Sequence, residues 1–342
     1  MTGTTEHAVL VAAARYGLGS PTPPAVLDGS AAEAVFAQAR FHHLSGFLAA
    51  AVLAGVVLAD DDNLWCPLWQ QWHDELLTCL RLEALAVRTG ELLDTAGVRW
   101  RLTKGAGLAH LDYPDPAVRT FGDVDLVIHP SDWSRAFRLL TTSGYRREVP
   151  ALPGGYDDRY GKGATLTTAD GLEVDLHRRF AIGRFGVTTR TEAVFGSSDV
   201  IELAGRAIPV LDPPGRLVHA CFHAALGGFR GLRAFRDVAQ LILMTGADWQ
   251  ATFEVAGSWR AEAVIARAIT ETWDRLELDV DHPAHIRAVS TDVSRGDRRV
   301  LDLFARQSPF RSQAMSAVPR LPPYEVPRYL WSLAGPRLRR ST

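Results

Sequence analysis

Cysteine and lysine are scarce in this chain of 342 residues, and neither sign of charge dominates it. The three cysteines, Cys66, Cys79 and Cys221, are far apart and odd in number. That excludes a disulfide framework and a zinc site built from cysteines, and it fits a reducing cytoplasm. No basic stretch followed by an apolar run opens the chain, so no signal peptide is expected. The longest apolar stretch, residues 47–59, is only about 13 residues long and contains Gly55, too short to span a bilayer. A net charge of −2 argues against a protein that coats nucleic acid by bulk electrostatics. Lysine and arginine together number 37, yet only Lys104 and Lys162 are lysines. A coding bias toward arginine accounts for the ratio. A lysine that survives such a bias can mark a position that needs a compact ammonium rather than a guanidinium fork.

Hydrophobic residues make up 47% of the chain, enough for a core of ordinary size. The length suggests about two domains. Residues 1–96 read as helices. Ser30 and Glu33 form a capping-box pattern before an apolar-rich segment that runs to about Val57. Residues 68–95 read as one long amphipathic helix, with leucines and alanines at helical spacing. At Gly97 the period changes, and 97–211 read as a mixed α/β core. Its strands are expected at 98–103, 124–128, 145–149, 164–168, 172–177, 200–203 and 207–211. Asp170-Gly171 is a strong turn signal for the hairpin between the fourth and fifth of these. Residues 212–305 read as helices again, and 306–342 as a basic tail rich in proline and arginine. The fold class expected is α/β (α+β), with a small mixed sheet flanked by N- and C-terminal helices.

The stretch that points to chemistry is Phe121-Gly122-Asp123-Val124-Asp125-Leu126-Val127. Residues two apart in a strand project to the same side, so Asp123 and Asp125 form a compact hard-oxygen pair suited to Mg²⁺. In Leu172-Glu173-Val174-Asp175-Leu176-His177, the residues Glu173, Asp175 and His177 share one face and the leucines and valine the other. Upstream, Lys104-Gly105-Ala106-Gly107 is a small-residue turn between a strand and a helix, where backbone N–H groups can approach phosphates.

This order of features resembles the nucleotidyltransferase superfamily typified by DNA polymerase β. It is similar in particular to a bacterial branch of uncharacterised nucleotidyltransferases. The runs that carry the likeness are Leu102-Thr103-Lys104-Gly105, Tyr113-Pro114-Asp115-Pro116, the 119–127 segment, Val174-Asp175-Leu176-His177 and His219-Ala220-Cys221-Phe222-His223 with Arg233 and Asp237. Together they span roughly residues 69–245. The wider superfamily has Gly-Ser at the turn. Here Lys104-Gly105 stands in its place, as in the branch, and a lysine charge replaces a hydroxyl contact.

The resemblance implies transfer of a nucleoside monophosphate from an NTP to a hydroxyl or phosphate of a small-molecule or peptide acceptor, in specialised-metabolite biosynthesis. It implies a two-metal mechanism with Mg²⁺, or Mn²⁺ in its place. Asp123, Asp125 and Asp175 would hold the metals. Asp175 would also accept the acceptor's proton, and Lys104 would meet phosphate charge. Gly105 and Gly107 would give the backbone clearance, and Arg119 and Lys162 would reach phosphates. Bland readings stand beside these. Arg119 can be a plain surface arginine. Asp175 can pair with Arg178 or Arg179, and His177 with a carboxylate. Arg233 can pair with Asp237 four residues on. His219 and His223 can be structural. Transfer of a sugar phosphate by the same site, a non-catalytic antitoxin-like or scaffold role, and extension of RNA ends are the alternatives in function. The tail carries Arg306, Arg311, Arg320, Arg328, Arg337, Arg339 and Arg340 against the single acid Glu325. It reads either as a solvated segment packing a few aromatics or as an electrostatic guide for an anionic acceptor.

Overall fold

The structure, a computed structural model, describes residues 2–19, 22, 24–59 and 61–334. The centre is a sheet of seven short strands. Following two N-terminal strands, β1 (Ala25–Leu27) and β2 (Val57–Ala59), these are β3 (Trp100–Leu102), β4 (Val124–Ile128), β5 (Arg146–Arg147), β6 (Gly163–Thr167), β7 (Glu173–His177), β8 (Asp199–Leu203) and β9 (Arg206–Val210). Their spatial order is β5-β6-β7-β4-β3-β9-β8. β4 runs parallel to β7 and β3 parallel to β9, while the pairs β3–β4, β5–β6, β6–β7 and β8–β9 are antiparallel. The sheet is mixed, as the sequence pattern suggests. The register places Asp125 opposite Asp175 and Val127 opposite His177.

Alternation decides what each face of the sheet meets. Val124, Leu126 and Ile128 pack with Val174 and Leu176 under the long helix Cys66–Thr95 and the helix Trp133–Thr142. Val127, on the opposite parity, joins the core of the C-terminal helices Pro213–Leu226, Leu232–Leu243 and Glu262–Arg275. Every residue of β4 is buried, so Asp125 is enclosed between the sheet and those helices. The β6–β7 hairpin sits close against itself at Gly163, where a Cβ would lie 1.9 Å from the Leu176 carbonyl oxygen.

The helical reading of residues 1–96 is corrected in part, because β1 and β2 lie within it. The apolar-rich segment after Ser30 forms two helices, Ala32–Phe41 and Ser45–Leu53. They are broken where His43 takes a positive φ of 53°, a conformation histidine adopts more readily than most residues. The cap there is Asp28, whose carboxylate accepts from the Ser30 N–H, rather than Ser30 itself. The tail folds. Helices Phe310–Met315 and Val326–Ala334 pack on the short helix Tyr156–Arg159, burying Tyr329 against Tyr156 and Tyr160. Residues 335–342, with Arg337, Arg339 and Arg340, lie outside the described residues. Among the described residues, no helix is long and apolar enough to cross a membrane.

Candidate active site

Asp125 and Asp175 face each other across the parallel pair β4–β7. Their carboxylates and the imidazole of His177 converge, with one ligand atom from each within 4.8 Å of the others. His177 Nε2 lies 2.7 Å from Asp125 Oδ1. An ionised carboxylate only accepts, so Nε2–H donates and the ring is held as the neutral tautomer. Burial, together with the nearby Lys162 ammonium, pushes His177 down to about 3, against the pull of Asp175. Asp175 Oδ1 accepts from Thr165 Oγ1 at 2.5 Å, on the neighbouring strand β6.

Lys104 follows β3 and reaches back to the same face. Its Nζ is 3.2 Å from Asp123 Oδ2 and 3.1 Å from Asp125 Oδ2. Burial opposes its charge, but the two carboxylates outweigh burial and hold Lys104 above its ordinary value. Asp125 Oδ2 is buried and, apart from this ion pair, has no partner in hydrogen-bond geometry. Lys162 stands at the start of β6. Burial, then Lys104, lowers it, while Asp175, Asp125 and Asp123 pull the other way. Of the chain's two lysines, Lys104 pairs with the cluster directly and Lys162 lines one cavity with Asp175 and His177. A cavity of about 360 Å³ opens beside them, lined by Lys162, Thr165, Asp175, His177, Ile182 and Phe310 among others.

The residues expected from sequence are thus partly gathered and partly redistributed. Asp125, Asp175, Lys104 and Lys162 come together. Asp123 joins through Lys104 and lies outside the group of Asp125, Asp175 and His177. Asp175 has no ion pair with Arg178 or Arg179. Gly105 takes a positive φ of 59° at the turn. Gly107 is inside the helix Ala106–Asp112, where a Cβ would meet Val210 Cγ1 at 2.9 Å. Its bareness serves packing against β9.

Arg119 corrects both of its expected readings. It is 1% exposed, neither a surface arginine nor free for phosphate. Its Nε and Nη2 donate to Asp237 Oδ1 and Oδ2 at 2.9 and 2.7 Å, and its Nη1 to the Gly105 carbonyl. Tyr113 Oη also donates to Asp237. This fork ties the helix Leu232–Leu243 to the loop that delivers Asp123. Arg233, expected to pair with Asp237, instead donates to the Thr120 carbonyl at 3.2 Å and lies in the field of Asp123 and Asp125. Arg119→Met is expected to destabilise the protein by about 3–5 kcal/mol, because it strands a buried carboxylate. Denaturant titration checks this, and a double replacement with Asp237→Leu is expected to cost less than the single change.

Sequence reasoning missed Thr165, which is signalled only by its register opposite Asp175. The histidines that sequence offers as structural form a column: His219 lies 5.9 Å from His177 and stacks at 6.5 Å on His223. Burial holds His219 and His223 well below their ordinary value, with the Lys104 charge adding to the effect. The folded chain keeps these three rings neutral, while the unfolded chain protonates them below about pH 6.5. The unfolded state then binds more protons, so stability falls as pH drops from 7 toward 4, by up to ~1.4 kcal/mol per pH unit for each ring. Asp112, pushed up to about 6 by burial against the pull of Arg216, and Glu173, raised by burial, work in the opposite sense, while His43, pushed down to about 4 by burial, adds to the three rings. Thermal unfolding across this range checks the sign. His223→Gln is expected to flatten the slope, and a Tm that does not fall between pH 7 and 5 would contradict the assignment.

Two carboxylates on adjacent parallel strands, with Lys104 paired to one of them and Lys162 in the wall of the neighbouring cavity, are the most strongly charged buried cluster on the sheet. The chain belongs to a family of uncharacterised nucleotidyltransferases, whose sequence profile matches residues 28–271. No curated protein matches it. Among solved structures, it is similar to an antigenic nucleotidyltransferase-like protein from Paracoccidioides brasiliensis, at 15% identity and a TM-score of 0.30. That match covers 54% of this chain and 93% of the other, and a likeness so distant carries no functional argument.

Proposed function

We propose that the chain transfers a nucleoside monophosphate from an NTP to a hydroxyl or phosphate of a small-molecule or peptide acceptor, with Mg²⁺ or Mn²⁺ as cofactor. The observation that carries this reading is the convergence of Asp125, Asp175 and both lysines on one face of β4 and β7. The donor set fits a hard cation. Asp125 commits Oδ1 to His177 and turns its buried Oδ2 to the Lys104 ammonium, whose place a cation would take, and Asp175 supplies a second carboxylate. Asp125 and Asp175 would hold the cation, joined by Asp123 once Lys104 releases it. A bound cation supplies charge neutralisation at the triphosphate and lowers the pKa of an attacking hydroxyl.

The chain's own side chains do the rest. His177 orients Asp125 through its Nε2–H, as neutral imidazoles orient ligating carboxylates. Asp175, steadied by Thr165, accepts the acceptor's proton. Lys104, released from Asp123, follows the charge that develops on the departing pyrophosphate. Lys162 contacts the phosphates from the β6 side, at the cavity mouth. Calorimetric titration of each NTP, with and without Mg²⁺, tests the reading. Affinity is expected to depend on the cation in the wild type and to lose that dependence in Asp175→Asn. Equal binding in both proteins, with or without the cation, would contradict it.

A further inference from the structure

Beyond His177 the chain changes direction, and Arg178 and Arg179 leave the carboxylate face. Both backbone N–H groups donate to the Lys162 carbonyl, at 2.7 and 2.9 Å. Their side chains rest on main-chain carbonyls. Arg178 Nη1 donates to Arg159 O at 3.1 Å, and Arg179 donates to Arg159 O and Gly186 O at 3.0 and 2.7 Å. Among the described residues, neither has a carboxylate within 4.0 Å. The two side chains border a separate cavity of about 350 Å³, to which Arg190, Arg260 and Arg320 come from three other segments. Glu192 is the one carboxylate in its wall; among the described residues it makes no ion pair within 4.0 Å, although its charge acts on Arg178 and Arg179. Arg320 shares Asp297 with Arg184 and is the more distant of the two, at 3.7 Å. The Nε atoms of Arg178, Arg179 and Arg320 are buried without a hydrogen-bond partner.

Four guanidiniums without an ion pair, and a fifth that shares Asp297, face Glu192 as the one carboxylate in the wall, an imbalance that folded proteins rarely keep without a counter-charge. Burial, then the neighbouring Arg178, pushes Arg179 down to about 10, a sign that this crowding is felt. Guanidinium forks match the oxygens of phosphate in pairs, and the number of forks suits a group of more than one negative charge better than a single carboxylate. The volume takes a phosphoryl group with a small moiety attached. We propose that this cavity binds the phosphoryl group of a small phosphorylated ligand, at a site separate from the carboxylate cluster. The two sites lie on either side of the β7 terminus, one lined by Lys162 and His177 and the other by Arg178 and Arg179.

The test is calorimetric titration of the full chain with inorganic phosphate at low ionic strength and with a chelator present, so that no cation-dependent binding contributes. Arg190 and Arg260 are exposed and, among the described residues, make no side-chain hydrogen bond or ion pair, so the double variant Arg190→Gln/Arg260→Gln is expected to fold with an unchanged Tm. It is expected to weaken phosphate binding about tenfold or more. Asp125→Asn is expected to leave phosphate binding intact, and the double variant to leave Mg²⁺-dependent NTP affinity intact. Absence of saturable phosphate binding would overturn the proposal, as would binding indifferent to the arginine changes. Loss of NTP affinity in the double variant would overturn it too, by assigning the cavity to the nucleotide's own phosphates.

Discussion

Asp125→Asn is expected to reduce NTP turnover by at least about 10²-fold while the protein stays folded. The substitution keeps the shape of the side chain and removes the charge on a buried group that sits 2.7 Å from His177 and 3.1 Å from Lys104. It also removes one of the two carboxylates expected to hold the cation. Asparagine can still accept from His177 Nε2–H, so the local hydrogen bond has a replacement. Alanine is the poorer test here, because it would leave both His177 and Lys104 without their partner in a closed space. Turnover should therefore fall far more than thermal stability does. Wild-type turnover in a folded Asp125→Asn protein would remove this cluster from the reaction.

The second large effect is expected at Lys104. Lys104→Met keeps the buried stem and deletes the charge. Turnover is expected to drop by roughly 2–4 kcal/mol of transition-state stabilisation, about 30- to 1,000-fold. The structure adds a second readout. Lys104 occupies the space between Asp123 and Asp125, so removing its charge is expected to tighten cation binding even as turnover falls. A residue that only filled the gap between two carboxylates would give tighter cation binding with turnover preserved, and that result would contradict the role assigned here. Lys104→Arg is expected to rescue poorly, because its side chain is 11% exposed and a planar fork does not fit a site shaped for an ammonium. Steady-state kinetics and cation titration of the two variants check both parts.

Much of the carboxylate site was legible because its signals are local. Asp123 and Asp125 are two apart before and within an apolar strand. The Asp-Gly turn announces the hairpin that bears Asp175, and the parity of Leu172, Val174 and Leu176 says which way Asp175 faces. With only two lysines in the chain, Lys104 and Lys162 stand out in the sequence itself. The features that escaped are those set by partners far off in the chain. Arg119 meets Asp237 across 118 positions, and no spacing rule connects them. The tail's aromatics signal that it packs on the body, but that Tyr329 sits between Tyr156 and Tyr160, with Ala314, Ala317 and Leu333 buried beside it, is set by the fold. Gly107 fits a phosphate turn by sequence, but the side chain of Val210, on another strand, takes the space. The arginine cavity draws on Arg178, Arg190, Arg260 and Arg320, which only the tertiary fold brings together.

The central claim is that the group transferred is the nucleoside monophosphate. It is tested most directly by incubating the protein with Mg²⁺, a cell extract as acceptor source, and an NTP labelled at either its α- or its γ-phosphate. Transfer of a nucleoside monophosphate puts the α-label on a new product and releases the γ-label as pyrophosphate, and both signals should vanish with Asp125→Asn. A γ-label on the product with the α-label left in the nucleoside diphosphate would contradict the account.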